Sequence, residues 1–397
     1  MNAVEIEQAT SDLALQPFDP AEFAYAFLEA FGNKATTLKK LRSGTSNKSD
    51  LGGVLQTKNI HIAFAHTSFK WANLASHNAG VTVVIVGLST ESNAPRFLYE
   101  QGEDGQTSVK EAALINAYLV AGADLVVEKV AKPIGEQSPM NRGNGPVDGG
   151  HLFLNAFDKD SLISHYPEAA PFVRAYSNSE EFVNGKQRFC LWLEDSDLAQ
   201  ANAIPDIEQR LNAVKTMRVA SDKKQTRELA KTPHLFAENR HQTSTATMVV
   251  PRVISENREF LPVGLVDGGT IIGDRNFALY DATLWNMALI ASRLQWVWIG
   301  TVCVRMRTDF SSSNPLGWST FPVPTLTEKN KADLTRCAED ILLAREAHFP
   351  ATIADLYNPN TLPDNLRAAH ERNDEVLERV YYWLPLQKRY RTAGKTV

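Results

Sequence analysis

Cysteine is scarce in this chain. Three occur in 397 residues, Cys190, Cys303 and Cys337, far apart and with no C-x-x-C pairing. So odd and sparse a set argues against a disulfide framework and points to reduced thiols. Nine histidines are scattered, and none completes an H-E-x-x-H or Cys/His zinc pattern. His61 and His66 are too poorly spaced for one helix face, and no metal site is expected. No apolar run reaches the roughly 18–20 residues of a membrane helix. The longest candidate, V-T-V-V-I-V-G-L at 81–88, is strand-length and β-branched. The first residues, M-N-A-V-E-I-E, lack a basic stretch followed by an apolar one, so no signal peptide is expected and the expected location is cytoplasmic.

Charge of one sign is also lacking overall, since the formal net charge is only −5. That figure hides asymmetry. Residues 205–260 hold ten Lys/Arg against seven Asp/Glu, and residues 325–384 hold seven against eleven. Residues 385–397 carry four basic residues and no acid, a basic tail. A basic middle suits a polyanion such as nucleic acid, and equally a solvated helix surface.

The pattern mixes helices and strands. Residues 1–31 read as helical, with Asp19 as N-cap, Pro20 at the first helical position and Phe23, Phe27 and Phe31 on one face. Residues 60–66 alternate as a strand, and 80–88 read as a buried one. Residues 108–127 read as a helix running into a strand, with Ala112, Ile115 and Leu119 on its apolar face. The glycine-rich stretch 139–150 invites a phosphate-loop reading. Its spacing departs from G-x-G-x-x-G and Pro146 removes an amide, so a structural turn is expected. Short β-rich runs alternate with turns from 245 to 272, and 284–298 reads as helical, with Trp285, Trp296 and Trp298 in the core. The run 296–304 leads, strand-like, into R-M-R-T-D-F at 305–310. Thr325 or Thr327 caps a helix striped by Leu334, Ala338, Ile341 and Leu342. Pro363 opens a second with Leu366, Ala369, Val376, Leu377 and Val380, which makes a helical hairpin joined by a Pro/Asn turn.

Several phrases together resemble one family. They are A-H-T-S-F-K-W-A-N at 65–73, N-A-G-V-T-V-V-I-V-G at 78–87, R-F-C-L-W at 188–192, V-P-R-V-I-S-E-N-R at 250–258, F-P-V-P at 321–324, A-R-E-A-H at 344–348 and I-A-D-L-Y at 353–357. The chain resembles the MmeI-like (type IIL) restriction–modification enzymes, which join a nuclease, an adenine-N6 DNA methyltransferase and a target-recognition domain. The resemblance implies a mixed α/β (α+β) architecture. Residues 1–62 would be the helical start of the nuclease domain, and 63–130 the last methyltransferase strands. Residues 131–325 would be the target-recognition domain, 326–384 the C-terminal helices and 385–397 the basic tail. It also implies an internally truncated chain, because members are far longer.

The truncation would remove the chemistry. The family holds S-adenosylmethionine on a glycine-rich strand–loop–helix and the flipped adenine on an Asn-Pro-Pro-aromatic loop. Here D-P-A-E at 19–22 lacks the glycines, and N-P-L-G at 314–317 and N-P-N-T at 358–361 lack the second proline and the aromatic. The nearest nuclease pattern, Asp50 with Q-T-K at 56–58, offers one acid where two are wanted. No catalytic residue and no cofactor in this chain are therefore expected, although the full-length family uses S-adenosylmethionine.

The resemblance implies double-stranded DNA as partner, with Arg307 and Asp309 at the positions that read one base pair. Alternate residues of an extended strand share a side. Arg307 could then donate to guanine O6 and N7 while Asp309 accepts from cytosine N4, for about 1–3 kcal/mol of discrimination. The same two residues also read as a surface ion pair worth roughly 0–1 kcal/mol. Arg305 matches the family's arginine and would position the loop or hold phosphate, as would Arg252, Ser255, Asn257 and Arg258. Val304 replaces the family's glycine, Pro315 is unusual, and Y-Y-W-L-P-L-Q-K-R-Y-R after 380 departs through divergence or a frameshift. Three functions stay open: a DNA-recognition portion without catalysis, an adenine methyltransferase working with a separate methyltransferase polypeptide, and a decayed gene product.

Overall fold

The computed structural model describes residues 61–71, 81–89, 94–102, 105–122, 127–306 and 309–393. The expected helix within 1–31 and the Asp50 segment lie outside them. The chain begins with β1 (His61–Trp71), β2 (Val81–Ser89), β3 (Arg96–Gln101) and β4 (Thr107–Ala112), in sheet order β2-β1-β3-β4. β1 runs antiparallel to β2 and parallel to β3. A bulge between Ile62 and Phe64 puts both Ile62 and Ala65 in the core with Leu98, Ala112, Ile115 and Leu119.

Two expectations change here. β2 is a strand, but an edge strand and not a buried one: Ile85 is 42% and Leu88 47% exposed. A β-branched run tells of a strand, whereas its burial depends on neighbours. Nor do residues 108–122 form a helix. β4 ends at Ala112, and the Asn116 side-chain oxygen then accepts from the amides of Tyr118 (3.0 Å) and Val120 (3.4 Å). Leu119 takes a left-handed conformation (φ 58°). That turn buries Ile115 and Leu119 without any helical repeat.

Next come β5 (Asn141–Arg142), β6 (Phe153–Leu154), α1 (Ala156–His165), β7 (Val173–Ser177), α2 (Ser179–Asn184), β8 (Phe189–Leu191), α3 (Leu198–Asn202), α4 (Pro205–Val219) and α5 (Lys224–Glu228). They are followed by β9 (Ala246–Pro251), β10 (Val253–Ile254), β11 (Gly264–Asp267), β12 (Ile271–Ile272), β13 (Asn276–Tyr280), α6 (Leu284–Ile290), α7 (Arg293–Val302), β14 (Val304–Met306) and β15 (Asp309–Ser311). Three further sheets result, β11-β9-β13-β5, β12-β7-β8-β6 and β10-β15-β14. The architecture is mixed α and β, in several small sheets. No helix among the described residues is long and apolar enough to cross a membrane.

The glycine-rich stretch is a structural crossing. The amides of Gly143, Asn144 and Gly145 donate to the carbonyls of Asn276, Ile272 and Glu238. None of the three is left for an anion. Gly143 meets Gly273 so closely that a Cβ would lie 2.0 Å from the Gly273 oxygen.

α4 carries a buried stripe at Ile207, Leu211, Val214 and Arg218. Proline at its first position and Asp206 and Glu208 in its first turn favour its start. Arg218 occupies the stripe's last place and is 0% exposed. Its Nε donates to the Val147 carbonyl (2.9 Å), Nη1 to Leu229 (2.9 Å) and Thr232 (2.8 Å), and Nη2 to Pro146 (2.9 Å) and Leu235 (2.8 Å). All five guanidinium donors end on backbone carbonyls. This charge from the basic middle is thus neither a solvated face nor a polyanion contact. Burial lowers its pKa, and the Asp148 carboxylate offsets part of that.

The apolar segment from 284 is two helices, because the Ser292 hydroxyl accepts from the Gln295 amide (3.1 Å) and starts α7 afresh. α7 runs to Val302, so most of the strand-like run 296–304 is helical and β14 starts only at Val304.

The C-terminal hairpin is present. Thr327 caps α8 (Glu328–Glu346), and a short α9 (Ile353–Leu356) precedes α10 (Asp364–Ala393), which runs on through the boundary expected at 385. α8 packs on α6 and α10. Tyr357 Oη lies 2.8 Å from His370 Nε2, and His370 stacks on Phe260 at 4.3 Å. Arg345 donates to Tyr357 Oη through Nε (2.8 Å) and to the Val263 carbonyl through Nη1.

Arg218→Met keeps an unbranched apolar stem but takes the guanidinium from five carbonyls, of which Pro146, Leu229 and Thr232 keep a backbone donor while Val147 and Leu235 lose theirs. It is expected to destabilise the protein by on the order of 3–5 kcal/mol, read as a lower urea midpoint. A second expectation concerns pH. Burial pushes the Asp374 carboxyl up from 3.8 to about 7, although the Arg293 amide and guanidinium favour its charged form. The fold therefore binds this proton more tightly than the unfolded chain does. Its stabilisation is complete below about pH 4 and is lost as pH rises to about 7, at most on the order of 4 kcal/mol. The buried His370, whose pKa is well lowered by burial, acts in the opposite sense. The difference between wild type and Asp374→Asn isolates the carboxyl: equal stability near pH 4, and a more stable variant at pH 8.

Candidate nucleic-acid interface

Two phrases that lie apart in the sequence meet in the sheet β10-β15-β14. β14 and β15 pair antiparallel, with Val304 opposite Ser311, Arg305 opposite Phe310 and Met306 opposite Asp309. On its other side β15 pairs with β10, Val253 opposite Ser311 and Ile254 opposite Phe310. Residues 305–310 are therefore not one extended strand. The chain has reversed between Met306 and Asp309, which face each other across β14 and β15. Arg307 lies outside the described residues. Arg305 lies on β14, opposite Phe310.

Phe310 anchors the hairpin. Its ring packs on Trp296 of α7 with centroids 4.1 Å apart. Gly300 makes room for it, since a Cβ there would lie 2.7 Å from the ring. Successive strand residues alternate, so Asp309 and Ser311 face away from that contact. Asp309 is half-buried, and no described residue bonds or pairs with its carboxylate.

The other candidates divide. Arg252 joins β9 to β10: its amide donates to the Arg275 carbonyl (3.0 Å) and its carbonyl accepts from Ser312 (2.8 Å). Its half-buried guanidinium donates to the Asp274 carbonyl (2.6 Å) and lies over Phe277. Ser255 and Asn257 form a turn, the Asn257 amide donating to the Ser255 hydroxyl (3.3 Å). Continuing the β10–β15 register places Ser255 across from Asp309, and Asn257 is exposed. Arg258 departs from that group. It is half-buried near Tyr357, where burial lowers its pKa. N-P-L-G at 314–317 is structural too, with the Asn314 amide donating to the Met140 carbonyl (2.6 Å).

The structure adds three arginines to Arg252. Arg142 reaches Asp274 (3.3 Å) and Glu238 (4.0 Å), Arg240 reaches Glu238 (2.8 Å), and Arg275 is exposed in the turn before β13. The hydrogen bond from Arg240 lowers the Glu238 pKa, with Arg142 and Arg252 adding to it. Burial, then repulsion from Arg142, lowers that of Arg252. Each was a lone arginine in a polar stretch, with no spacing to connect it to the others. Among the described residues no group of three or more His, Cys, Asp or Glu side chains could hold a metal ion.

Comparisons with known proteins bear on this arrangement. The family description "MmeI, target recognition domain" matches residues 121–325, "MmeI, DNA-methyltransferase domain" residues 45–100, and "MmeI, C-terminal domain" residues 326–390. DNA methyltransferase A of Bacillus subtilis (strain 168) is 37% identical over 325 residues, which are 81% of this chain and 36% of that protein. The solved structure of the Type IIL restriction-modification enzyme MmeI in complex with DNA matches at a TM-score of 0.77 and 26% identity, over 96% of this chain and 52% of that one. The chain thus spans between 36% and 52% of the length of these relatives.

Phe310→Ala is expected to cost about 3–4 kcal/mol, by loss of the ring and the cavity it leaves. Asp309→Ala should stay within about 0.5 kcal/mol. Urea unfolding followed by tryptophan fluorescence separates the anchor from the outward-facing carboxylate.

Proposed function

This chain belongs to the MmeI-like family of restriction–modification proteins, and on that premise we propose that it acts as the sequence-specific DNA-recognition portion of such a protein. On this reading it lacks an S-adenosylmethionine site and a nuclease centre of its own. The observation that carries the reading is the sheet that gathers 253–254, 304–306 and 309–311 within the target-recognition match. The solved MmeI structure is a complex with DNA, and its title concerns the engineering of new specificities. B-DNA's major groove admits a two-stranded β-ribbon, and β14 and β15 offer an antiparallel pair of strands for it, with β10 on the other side of β15. Asp309 accepts from cytosine N4 while Arg307, two residues earlier in the chain, donates to guanine O6 and N7. Arg252, Ser255, Asn257 and Arg305 hold phosphate or position the loop, and Arg258 acts mainly from within the scaffold.

The absence of catalysis is supported by the sequence. No Asn-Pro-Pro-aromatic loop occurs, and the methyltransferase match covers only 45–100. That same match favours a second reading, in which a separate methyltransferase polypeptide supplies the S-adenosylmethionine site and this chain directs it to a target.

The purified chain is expected to shift duplex DNA, and to do so less as salt rises. No shift even at low salt would rule the reading out. In selection from random duplexes, Asp309→Asn is expected to relax preference at one base pair by about 1–3 kcal/mol and leave the others unchanged. Methyl transfer from labelled S-adenosylmethionine by the chain alone would overturn the non-catalytic part.

A further inference from the structure

We propose that Arg142, Arg240, Arg252 and Arg275 form a phosphodiester clamp that holds one DNA strand beside the base pair read at the hairpin. The proposal rests on the DNA-recognition reading above. Arg142 pairs with Asp274 and Glu238, Arg240 pairs with Glu238, Arg252 donates to the Asp274 backbone carbonyl, and Arg275 follows Asp274 in the same turn. The local charge is thus under-compensated in a chain that is acidic overall. Like charges brought together oppose folding unless an anion neutralises them. Arginine suits phosphate because its planar fork donates two parallel hydrogen bonds.

The cluster is accessible. Arg275 is exposed, and the side chains of Arg142 and Arg240 are 41% and 37% exposed. It is also held in place by the backbone. The Arg275 amide donates to Asn178 Oδ1 (2.9 Å), the Gly273 amide to the Ser177 carbonyl (2.9 Å), and the Arg240 amide to Asn144 Oδ1 (2.6 Å). Guanidinium groups mounted on so constrained a turn lose little entropy when an anion arrives.

Position gives the cluster its role. The Arg252 amide bonds to Arg275 and the Arg252 carbonyl to Ser312, the residue that follows β15. The arginines therefore continue from the reading hairpin along the surface. Phosphate contacts of this kind fix register and orientation and carry no sequence information. Glu238 and Asp274 hold the Arg142 and Arg240 guanidinium groups in place and share them with the phosphates.

The test uses the whole chain with duplexes selected for tight binding and with duplexes of random sequence. Arg275→Gln and the pair Arg240→Gln/Arg275→Gln change exposed or half-exposed side chains, and their thermal melts are compared with wild type. Each substitution is expected to weaken binding to both kinds of duplex by about tenfold and to reduce the slope of log affinity against log salt by about one, with base preference unchanged. Unchanged affinity and slope in variants that melt like wild type overturns the clamp while the reading hairpin stands. So does a change of base preference, which would make these arginines readers. If wild type binds neither duplex, the recognition reading and the clamp fall together.

Discussion

The backbone of Arg252 is the joint on which the candidate interface depends. β9 lies inside the sheet β11-β9-β13-β5 and ends at Pro251, opposite Asn276. Proline has no amide to donate, so the ladder to β13 weakens there. One residue later the Arg252 amide takes the Arg275 carbonyl, and the Arg252 carbonyl takes the Ser312 amide. The chain thus leaves one sheet and enters another within a single residue. Both β15 and the arginine-bearing turn inherit their positions from that residue.

Buried polar groups hold the surroundings. Arg218 closes α4 onto two loops by meeting five carbonyls, two of which, those of Val147 and Leu235, accept from no backbone amide. The first turn of α7 is held by the Asp374 carboxylate, which accepts from the Arg293 amide (2.8 Å), and by Glu259, which pairs with Arg293 (2.9 Å) and Arg367. α7 in turn presents Trp296 and Gly300 to Phe310. A continuous series of contacts therefore runs from the C-terminal hairpin through α7 to β15. Such groups are costly when unpaired, and their value lies in admitting one arrangement rather than in adding net stability.

On the proposed reading, reading and gripping are separate tasks given to adjacent surfaces. The β14–β15 hairpin presents a carboxylate away from its aromatic anchor. The arginines around Glu238 and Asp274 present positive charge where sequence does not matter. Strands β1 to β4, matched in part by the methyltransferase domain, make their own sheet, whose core also takes in Ile115, Leu119 and Ala121. Its edge strand β2 keeps Ile85 and Leu88 partly exposed.

Elements with a strong local signal were legible in the sequence: β1 from its alternation, α8 from Thr327 and its stripe, α10 from its own stripe after Pro363, and the core tryptophans. Of the tryptophans expected in the core, Trp285 and Trp298 are buried, while Trp296 is half-buried against Phe310. Elements of this kind depend on backbone propensity and on which face is apolar, and both are written within a few adjacent residues. The family was legible too, because the spacing of several phrases is itself sequence. Other features rest on groups brought together from afar. Whether β2 is buried depends on what lies beside it, and an Asn116 turn can bury the same side chains as a helix. Ser292 divides one apolar run into two helices, and the strand-like run before Arg305 is mostly helix because α7 packs in the core. Met306 and Asp309 stand on different strands because β15 folds back to pair with both β14 and β10. The grouping of Arg142, Arg240, Arg252 and Arg275 arises only where β5, β9 and β13 converge. The sequence by itself determined which segments can be helix or strand and which side chains carry charge. The tertiary structure decided which charges meet, because hydrogen-bond pairing between distant strands sets those distances and no local pattern encodes them.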